Sequence, residues 1–502
     1  MNESGVSKLV VGTTMAPSDI NLADSDFNYL KTVMTNEGLV RIALNGSYIP
    51  GLAESWETSD SKTWTFHLVK NATWHDGVPV TSADVNYTWT TYYKQTGQMS
   101  QSHYGQIASV RTPDEHTVVI TLVKPNSNYL SSIQVMRIVP MHIFASLADP
   151  KNYNGPDAAV GCGPYEFTSF DKQAGVLTFK AYDEYYGGKP SIDTIEVRTF
   201  KNQDTLIMAL KRGEIDTVYM WSAGISYYYM PGLIQNPDMK FIMFNNTAIP
   251  NAIWFNNNKT PYSDEKFREA ISYAINYEEI KNLIVAGYGS TPNAGFLPYG
   301  SYGYIETRPL ALDVSKSKSL LDSLGYKDVN GDGFREAPDG KKFQPELISR
   351  SDTQDGVRIA DLMTKYLNAV GLDVKSKFVT SNDIITNQKT HDMAITGTTM
   401  VGMTMFAGYG THYFDNRAVG YAVVKDPRFT TICDNLYNAT SDDQNVALGG
   451  DIQQYYASDL PAIALYWNYN IQPYNKKFEG WEVSPVYGIM CYETYYGLHN
   501  AK

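Results

Sequence analysis

Residues 71–85 read NATWHDGVPVTSADV. Trp74, His75, Asp76 and Gly77 stand in a row, and the quartet has two readings. One is chemistry, with an imidazole base beside a carboxylate under an indole. The other is a turn. Asp-Gly is a strong turn signal, because Gly takes positive φ without steric cost and Asp bonds its own backbone. Pro79 holds Val78 extended. Thr81-Ser82-Ala83-Asp84 then matches a capping box, with Asp84 placed to reach back to the first turn of a helix running on through Val85, Trp89 and Tyr93. A general base needs a partner and a pocket. The expectation is therefore strand, turn, strand and capped helix, with His75 at a water-facing tip.

Upstream, WTFHLVKNATW (64–74) alternates Trp64, Phe66 and Leu68 with Thr65 and His67, the period of a half-buried strand. TIEVRTF (194–200) and GLDVKSKFV (371–379) read in the same way. Helices alternate with these strands. Phe267, Ala270, Ile271, Ala274 and Ile275 form one apolar stripe, with Ser263 as the expected N-cap. A second stripe runs through Ile359, Leu362, Met363, Tyr366, Leu367 and Val370, and Gly371 follows as a left-handed stop. TLIMALKRGEID ends on Gly213 with Lys211 and Arg212 in its last turn. The fold class is α/β, or mixed α+β, with no regularity that suggests a barrel.

The chain has 502 residues, enough for two to four domains. It is 43% hydrophobic and 19% charged, the balance of a globular protein. Its 38 Tyr against 19 Phe favour wet, ligand-lined surfaces, though drift in an exported protein explains the same excess. A net charge of −12 without a basic stripe argues against a nucleic-acid partner. Cys162, Cys433 and Cys491 form no CxxC pair, so neither a zinc ribbon nor a thioredoxin-type site is supported, and the odd count leaves one thiol free unless it pairs between chains. No apolar run is long enough for a membrane span. The opening MNESGVSKLVVGTT drops straight into a strand, as expected just past a removed leader; sequons at Asn45, Asn71, Asn86 and Asn438 add little to that.

The segment GLAESWETSDSKTWTFHLVKNATWHDGVPVTSADV (51–85) resembles the signature of the family 5 extracytoplasmic solute-binding proteins, the peptide- and nickel-binding receptors of ABC importers. Further segments follow in family order. VGCGPYEFTSFD (160–171) resembles the family's GTGPY segment. PYSDEKFREAISYAINYEEI (261–280), LLDSLGYKDVNGDGFRE (320–336), GLDVKSKFV and HDMAITG (391–397) resemble the segments that follow it. The resemblance implies a type II, two-lobed periplasmic-binding-protein clamp of three domains. Domain I would comprise 1–45, 164–245 and 468–502, domain II the insertion 46–163, and domain III 246–467. It implies ligand capture by hinge closure, delivery to a membrane permease, an extracytoplasmic location, no catalysis and no required cofactor.

The resemblance also places ligand contacts. In TTMVGMTMFAGYGTHYFDNRAVGY (398–421), peptide-binding relatives usually place a Trp after the preceding Gly, then an Asp for the peptide's amino terminus. Here Thr398 occupies the Trp position and the acidic candidate, Asp415, is displaced, which weighs against ordinary peptide recognition. Met400, Met403, His412, Tyr413 and Arg417 are the remaining candidates. Soft Met and imidazole suit a transition metal carried as a nickel chelate. The plain alternative is that the methionines pack the pocket wall. Trp221, Tyr227 and Tyr229, in MWSAGISYYYMPGL (220–233), and Trp467 and Tyr469, in ALYWNYNIQPY (464–474), are candidate aromatic walls for peptide, chelate or oligosaccharide, or else packed core.

One metal motif stands apart. Asp328, Asn330, Asp332, Glu336 and Asp339 fall at positions one, three, five, nine and twelve of a calcium loop, with Gly333 at six. Such a calcium would be structural, remote from the ligand. A hydrolase is the rival class, but no HExxH, GxSxG, SxxK or Walker-type loop occurs. A sensing or adhesion receptor would share the fold. The nickel reading makes its own test: His412→Ala should weaken binding of a nickel–histidine chelate, and unchanged binding by calorimetry removes that reading.

Overall fold

The computed structural model describes residues 5–20, 25–97, 105–220, 224–245, 249–351, 354–380, 383, 390–398, 424, 426–439, 441–484 and 487–501. The chain divides into two compact units, Met1–Phe244 with Asn470–Lys502, and Asn245–Tyr469.

The first unit, which takes in the strand Trp467–Asn475 from Asn470 onward, holds a mixed sheet in the order Met239–Asn245, Trp467–Asn475, Thr217–Val218, Leu9–Thr13, Thr194–Thr199, Val176–Ala181, Tyr165–Asp171. Leu9–Thr13 pairs in parallel with both its neighbours, while Val176–Ala181 is antiparallel to Thr194–Thr199 and to Tyr165–Asp171, and Thr217–Val218 to Trp467–Asn475. A hydrophobic cluster of Val11, Phe27, Leu30, Tyr165, Ile195 and Tyr495 lies on it. A second cluster, from Leu39 to Cys162, is built on a four-stranded antiparallel sheet ordered Ala53–Glu57, Thr63–Leu68, Thr117–Leu122, Ile107–Asp114. Trp64, Phe66 and Leu68 point into it as their alternation requires. The strand stops at Leu68, earlier than the alternation through Trp74 suggests: Lys70 and Asn71 form a turn, and the chain resumes pairing only at the Thr73–Pro79 bridge.

That bridge opens the hairpin of the quartet. Trp74 N donates to Val78 O at 2.7 Å and Gly77 N to Trp74 O at 2.8 Å, with Gly77 at φ +83°. Asp84 reaches back to the Thr81 N–H at 2.9 Å, and helix runs from Ser82 to Thr96 with a π-helical stretch at Thr88–Tyr92. The expectation for His75 is corrected. His75 is half-buried rather than facing water freely, because the segment 158–163 passes beside the turn. The Gly161 N–H donates to Nδ1 at 3.3 Å, and Nε2 lies 3.0 Å from Gly163 O. An N–H can only donate and a carbonyl can only accept, so this ring is neutral with its proton on Nε2. Tyr182 meets it edge-on at 4.9 Å. Burial first, and then the nearby Lys31, pull its pKa down to about 4.

The same segment explains its own glycines. A Cβ on Gly161 would lie 1.8 Å from Thr35 O, and one on Gly163 2.7 Å from Met34 O. Lys31, at 0% exposure on the helix Ser25–Met34, donates Nζ to Ala158 O at 3.0 Å, and burial lowers its pKa to about 7.

The second unit holds a five-stranded sheet ordered Lys375–Val379, Glu346–Arg350, Met393–Thr398, Ile249–Phe255, Ala462–Ala464. Helices Glu265–Ala274 and Gln354–Ala369 bury their expected stripes, and Gly371 follows at φ +89°. The N-cap of the first is Asp264, not Ser263: its carboxylate accepts from Lys266 N at 2.8 Å, whereas Ser263 N is spent on Lys259 O in the preceding turn. Trp467, a candidate for ligand wall or packed core alike, is 3% exposed and packs in this unit's core beside Trp254, Phe296 and Tyr456. Its ring meets Phe296 edge-on at 6.5 Å, because the strand turns this alternate position inward. All three cysteines are buried, and none forms a disulfide among the described residues.

Two outcomes follow. Trp467→Ala should lose about 3–5 kcal/mol of stability in urea, the cost of emptying a core indole. Less than 1 kcal/mol would return Trp467 to a surface role. For His75, the folded pKa lies below the unfolded value, so the unfolded state binds more protons between pH 6.5 and 4. The His75 contribution is complete above pH 6.5 and is lost as pH falls toward 4, up to ~3 kcal/mol in all. His75→Gln should flatten that part of the stability–pH curve relative to wild type, and equal slopes would contradict the burial described.

Candidate functional site

Several of the expected contacts fall on described residues. Tyr227–Tyr229 form a single 3₁₀ turn capped by Ser226, leading into Met230–Ile234. Tyr229 donates its hydroxyl to Asp204 at 2.8 Å and meets Tyr228 edge-on at 5.3 Å. Burial and then the Asp204 carboxylate push its pKa up to about 12, so it stays a protonated donor. Tyr227 and Tyr229 are half-buried, and the ring the turn presents is Tyr228, 82% exposed. Tyr469 is half-buried in the second unit, its N–H on Tyr288 O at 3.1 Å. Thr398 ends the strand Met393–Thr398, in register with Ile249. Trp221, Met400, Met403, His412, Tyr413, Asp415 and Arg417 lie outside the described residues.

The calcium candidates are bonded within their own loop, where Asn330 Nδ2 lies 3.3 Å from Asp332 and 2.6 Å from Glu336. Asp328 accepts from Gly331 N at 2.7 Å and Gly333 N at 3.0 Å, and Asp332 accepts from Phe334 N at 2.8 Å. Glu336 is taken by Asn330 Nδ2 at 2.6 Å and by Val329 N at 2.9 Å. Asp339, whose carboxyl is held below its usual range by Lys341, pairs with that ammonium at 2.7 Å. Among the described residues no group of three or more His, Cys, Asp or Glu is placed to hold a metal ion. In this arrangement the carboxylates are engaged by backbone N–H groups of the loop, by Asn330 and by Lys341.

A small cavity that no sequence motif announces lies in the first unit. It encloses about 50 Å³, walled by Glu37, Arg41, Arg137, Tyr487 and Tyr492 among others. The end of the helix Ser25–Met34 leads into Glu37, and Arg41 lies on the strand Val40–Ile42. Tyr185 donates to Glu37 at 2.7 Å, and Arg41 Nε donates to Pro50 O at 2.9 Å with its guanidinium over the Tyr492 ring at 4.1 Å. Arg137 Nη2 donates to Tyr487 Oη at 2.8 Å. Burial works against the charge on Arg41, but Glu37 and the surrounding tyrosines outweigh it, and its pKa is raised. Glu37 and Tyr492 stand 455 positions apart in the chain, so no local spacing could have marked them.

Comparison with known proteins places this geometry. The family model for bacterial extracellular solute-binding proteins, family 5, matches residues 47–419. A protein of Brucella abortus named as a putative ABC transporter peptide-binding protein is 31% identical over 290 residues, 56% of this chain and 52% of that one, so the chain spans about half the length of the relatives of this group. Among solved structures, NikA of Brucella suis in complex with Fe(III)-EDTA superposes with a TM-score of 0.83 at 20% identity, covering 98% of this chain and 100% of the other. The oligopeptide-binding protein AppA of Bacillus subtilis, in complex with a nonapeptide, gives 0.73 at 20% identity and covers all of both chains. The fold is that of the type II periplasmic binding proteins, and no helix among the described residues is long and apolar enough to cross a membrane. With a family model matched across most of its length, the chain belongs to the bacterial extracellular solute-binding proteins, family 5.

Proposed function

We propose that this protein captures a small organic solute of the peptide-like class outside the cytoplasm and hands it to the membrane permease of an ABC importer, making and breaking no bond. The observation that carries this reading is the family match across 47–419, which contains the WHDG hairpin and the later segments in order. Relatives named as peptide-, oligopeptide- and dipeptide-binding proteins support the solute class. His75 and Asp76 support the non-catalytic part: the imidazole is committed to two backbone groups, and Asp76 pairs with His142 at 2.7 Å. We read the cluster Leu39–Cys162 as the inserted domain II and the sheet around Leu9–Thr13 as domain I.

A metal chelate is the second reading. Likeness of fold to NikA with Fe(III)-EDTA favours it, while the single His of 398–421 weighs against a protein-held metal. Thermal unfolding of the full chain against peptides, nickel–histidine and oligosaccharides tests both. A solute at a hundred times its Kd adds ~2.7 kcal/mol to the folded state and raises Tm. A peptide hit supports the first reading, a nickel–histidine hit the second, and no shift across all three classes contradicts a receptor for any of them.

A further inference from the structure

The segment 158–163 is a strap between two cores. Ala159 packs in the cluster on the central sheet, and Cys162 packs in the inserted cluster. Two bases hold the strap from different elements. Lys31 reaches Ala158 O from the helix Ser25–Met34, and His75 reaches Gly161 and Gly163 from the hairpin. A proton acts on these bonds differently. An ammonium still donates to a carbonyl, so Lys31 keeps its bond when charged. The Gly161 N–H needs the lone pair of Nδ1, and a protonated ring meets it with a second N–H. The Nε2 contact with Gly163 O, and the bond from His75 N to Gly161 O at 2.8 Å, survive that proton.

The surroundings decide whether a charged ring stays in place. From the helix it faces Lys31, charged below about pH 7, which repels it. From its own hairpin it faces Asp76, whose attraction is smaller and whose carboxylate is already on His142 of the helix Met141–Phe144. Tyr182 meets the ring edge-on with its hydroxyl on Trp74 O, and burial raises its pKa. In the strap, burial and then Glu37 hold Cys162 as a neutral thiol. A charge that is buried without a free counter-charge is driven toward water. His75 is half-buried, so its ring has a way out. We propose that His75 is an acid-triggered latch: once protonated, its ring turns out to water, and the strap 158–163 parts from the hairpin while both sheets keep their folds. The opening is local, one joint and not the whole unit.

Every group named belongs to the first unit, so the latch does not rest on the receptor reading. Hydrogen–deuterium exchange of the full chain at about pH 7.5 and about pH 4.5, corrected for the intrinsic pH dependence of exchange, is the test. A ring that regains its free value of 6.5 on opening makes that opening roughly 70-fold easier at the lower pH. Peptides covering 73–79 and 158–163 should lose protection by that order, and those covering Leu9–Thr13 and Thr117–Leu122 should not. In His75→Gln the amide offers one acceptor and one donor, as the neutral ring does, and both segments should stay protected in acid. Lys31→Met removes the repelling charge and should move the opening to higher pH, a shift that a packing role alone does not give. Equal corrected protection of the wild type at both pH values overturns the inference, and so does protection lost evenly across all of these segments. A folded His75→Gln that opens as the wild type does, or a Lys31→Met midpoint that stays or falls, overturns it as well.

Discussion

One imidazole ties the first unit together. His75 comes from the hairpin of the inserted cluster, and its two nitrogens meet Gly161 and Gly163 of the segment that returns toward the central sheet. That segment is in turn pressed against the end of the helix Ser25–Met34, where Gly163 N donates to Thr35 O at 2.8 Å and only glycine fits. Tyr182 closes the arrangement by donating to Trp74 O at 3.0 Å. Three pieces of chain, distant in sequence, are therefore held together, and the bond from Gly161 N–H to Nδ1 requires a neutral ring. A His that must remain neutral and doubly bonded has no free nitrogen for acid–base work. The residues that first suggest an active site are a clasp.

Much of the architecture was legible before the structure. Period-two alternation in Thr63–Leu68 and the apolar stripe on Glu265–Ala274 gave the elements and the faces they bury, because both follow from local geometry. Errors arose where neighbours in space decide. Alternation continues past Leu68, but pairing does not. Ser263 and Asp264 are equally good caps by type, and the preceding turn selects the aspartate. His75 looked exposed because the strand-turn-strand pattern contains no trace of Gly161. Trp467 reads alike as wall or core, since an extended stretch has two faces and the sequence does not say which is inside.

The site was less legible than the fold. The stretch expected to choose the ligand, 398–421, lies almost entirely outside the described residues. The calcium motif had the right residue types at the right spacing, yet those oxygens are engaged by backbone N–H groups, Asn330 and Lys341. Spacing selects which groups are near one another; it does not fix which way they turn. Conversely, Glu37, Arg41, Arg137 and Tyr487 share no motif and meet only because the fold brings them to one cavity. Family membership is written in contiguous segments, while ligand chemistry is assembled from scattered ones.

The claim that this chain is a receptor and not a catalyst is tested most directly by native mass spectrometry of the protein isolated from its own cells. The account predicts a discrete bound small molecule, released on denaturation with its covalent structure unchanged. Protein that carries no solute and captures none from the growth medium, or that returns a bound peptide cleaved, would contradict it.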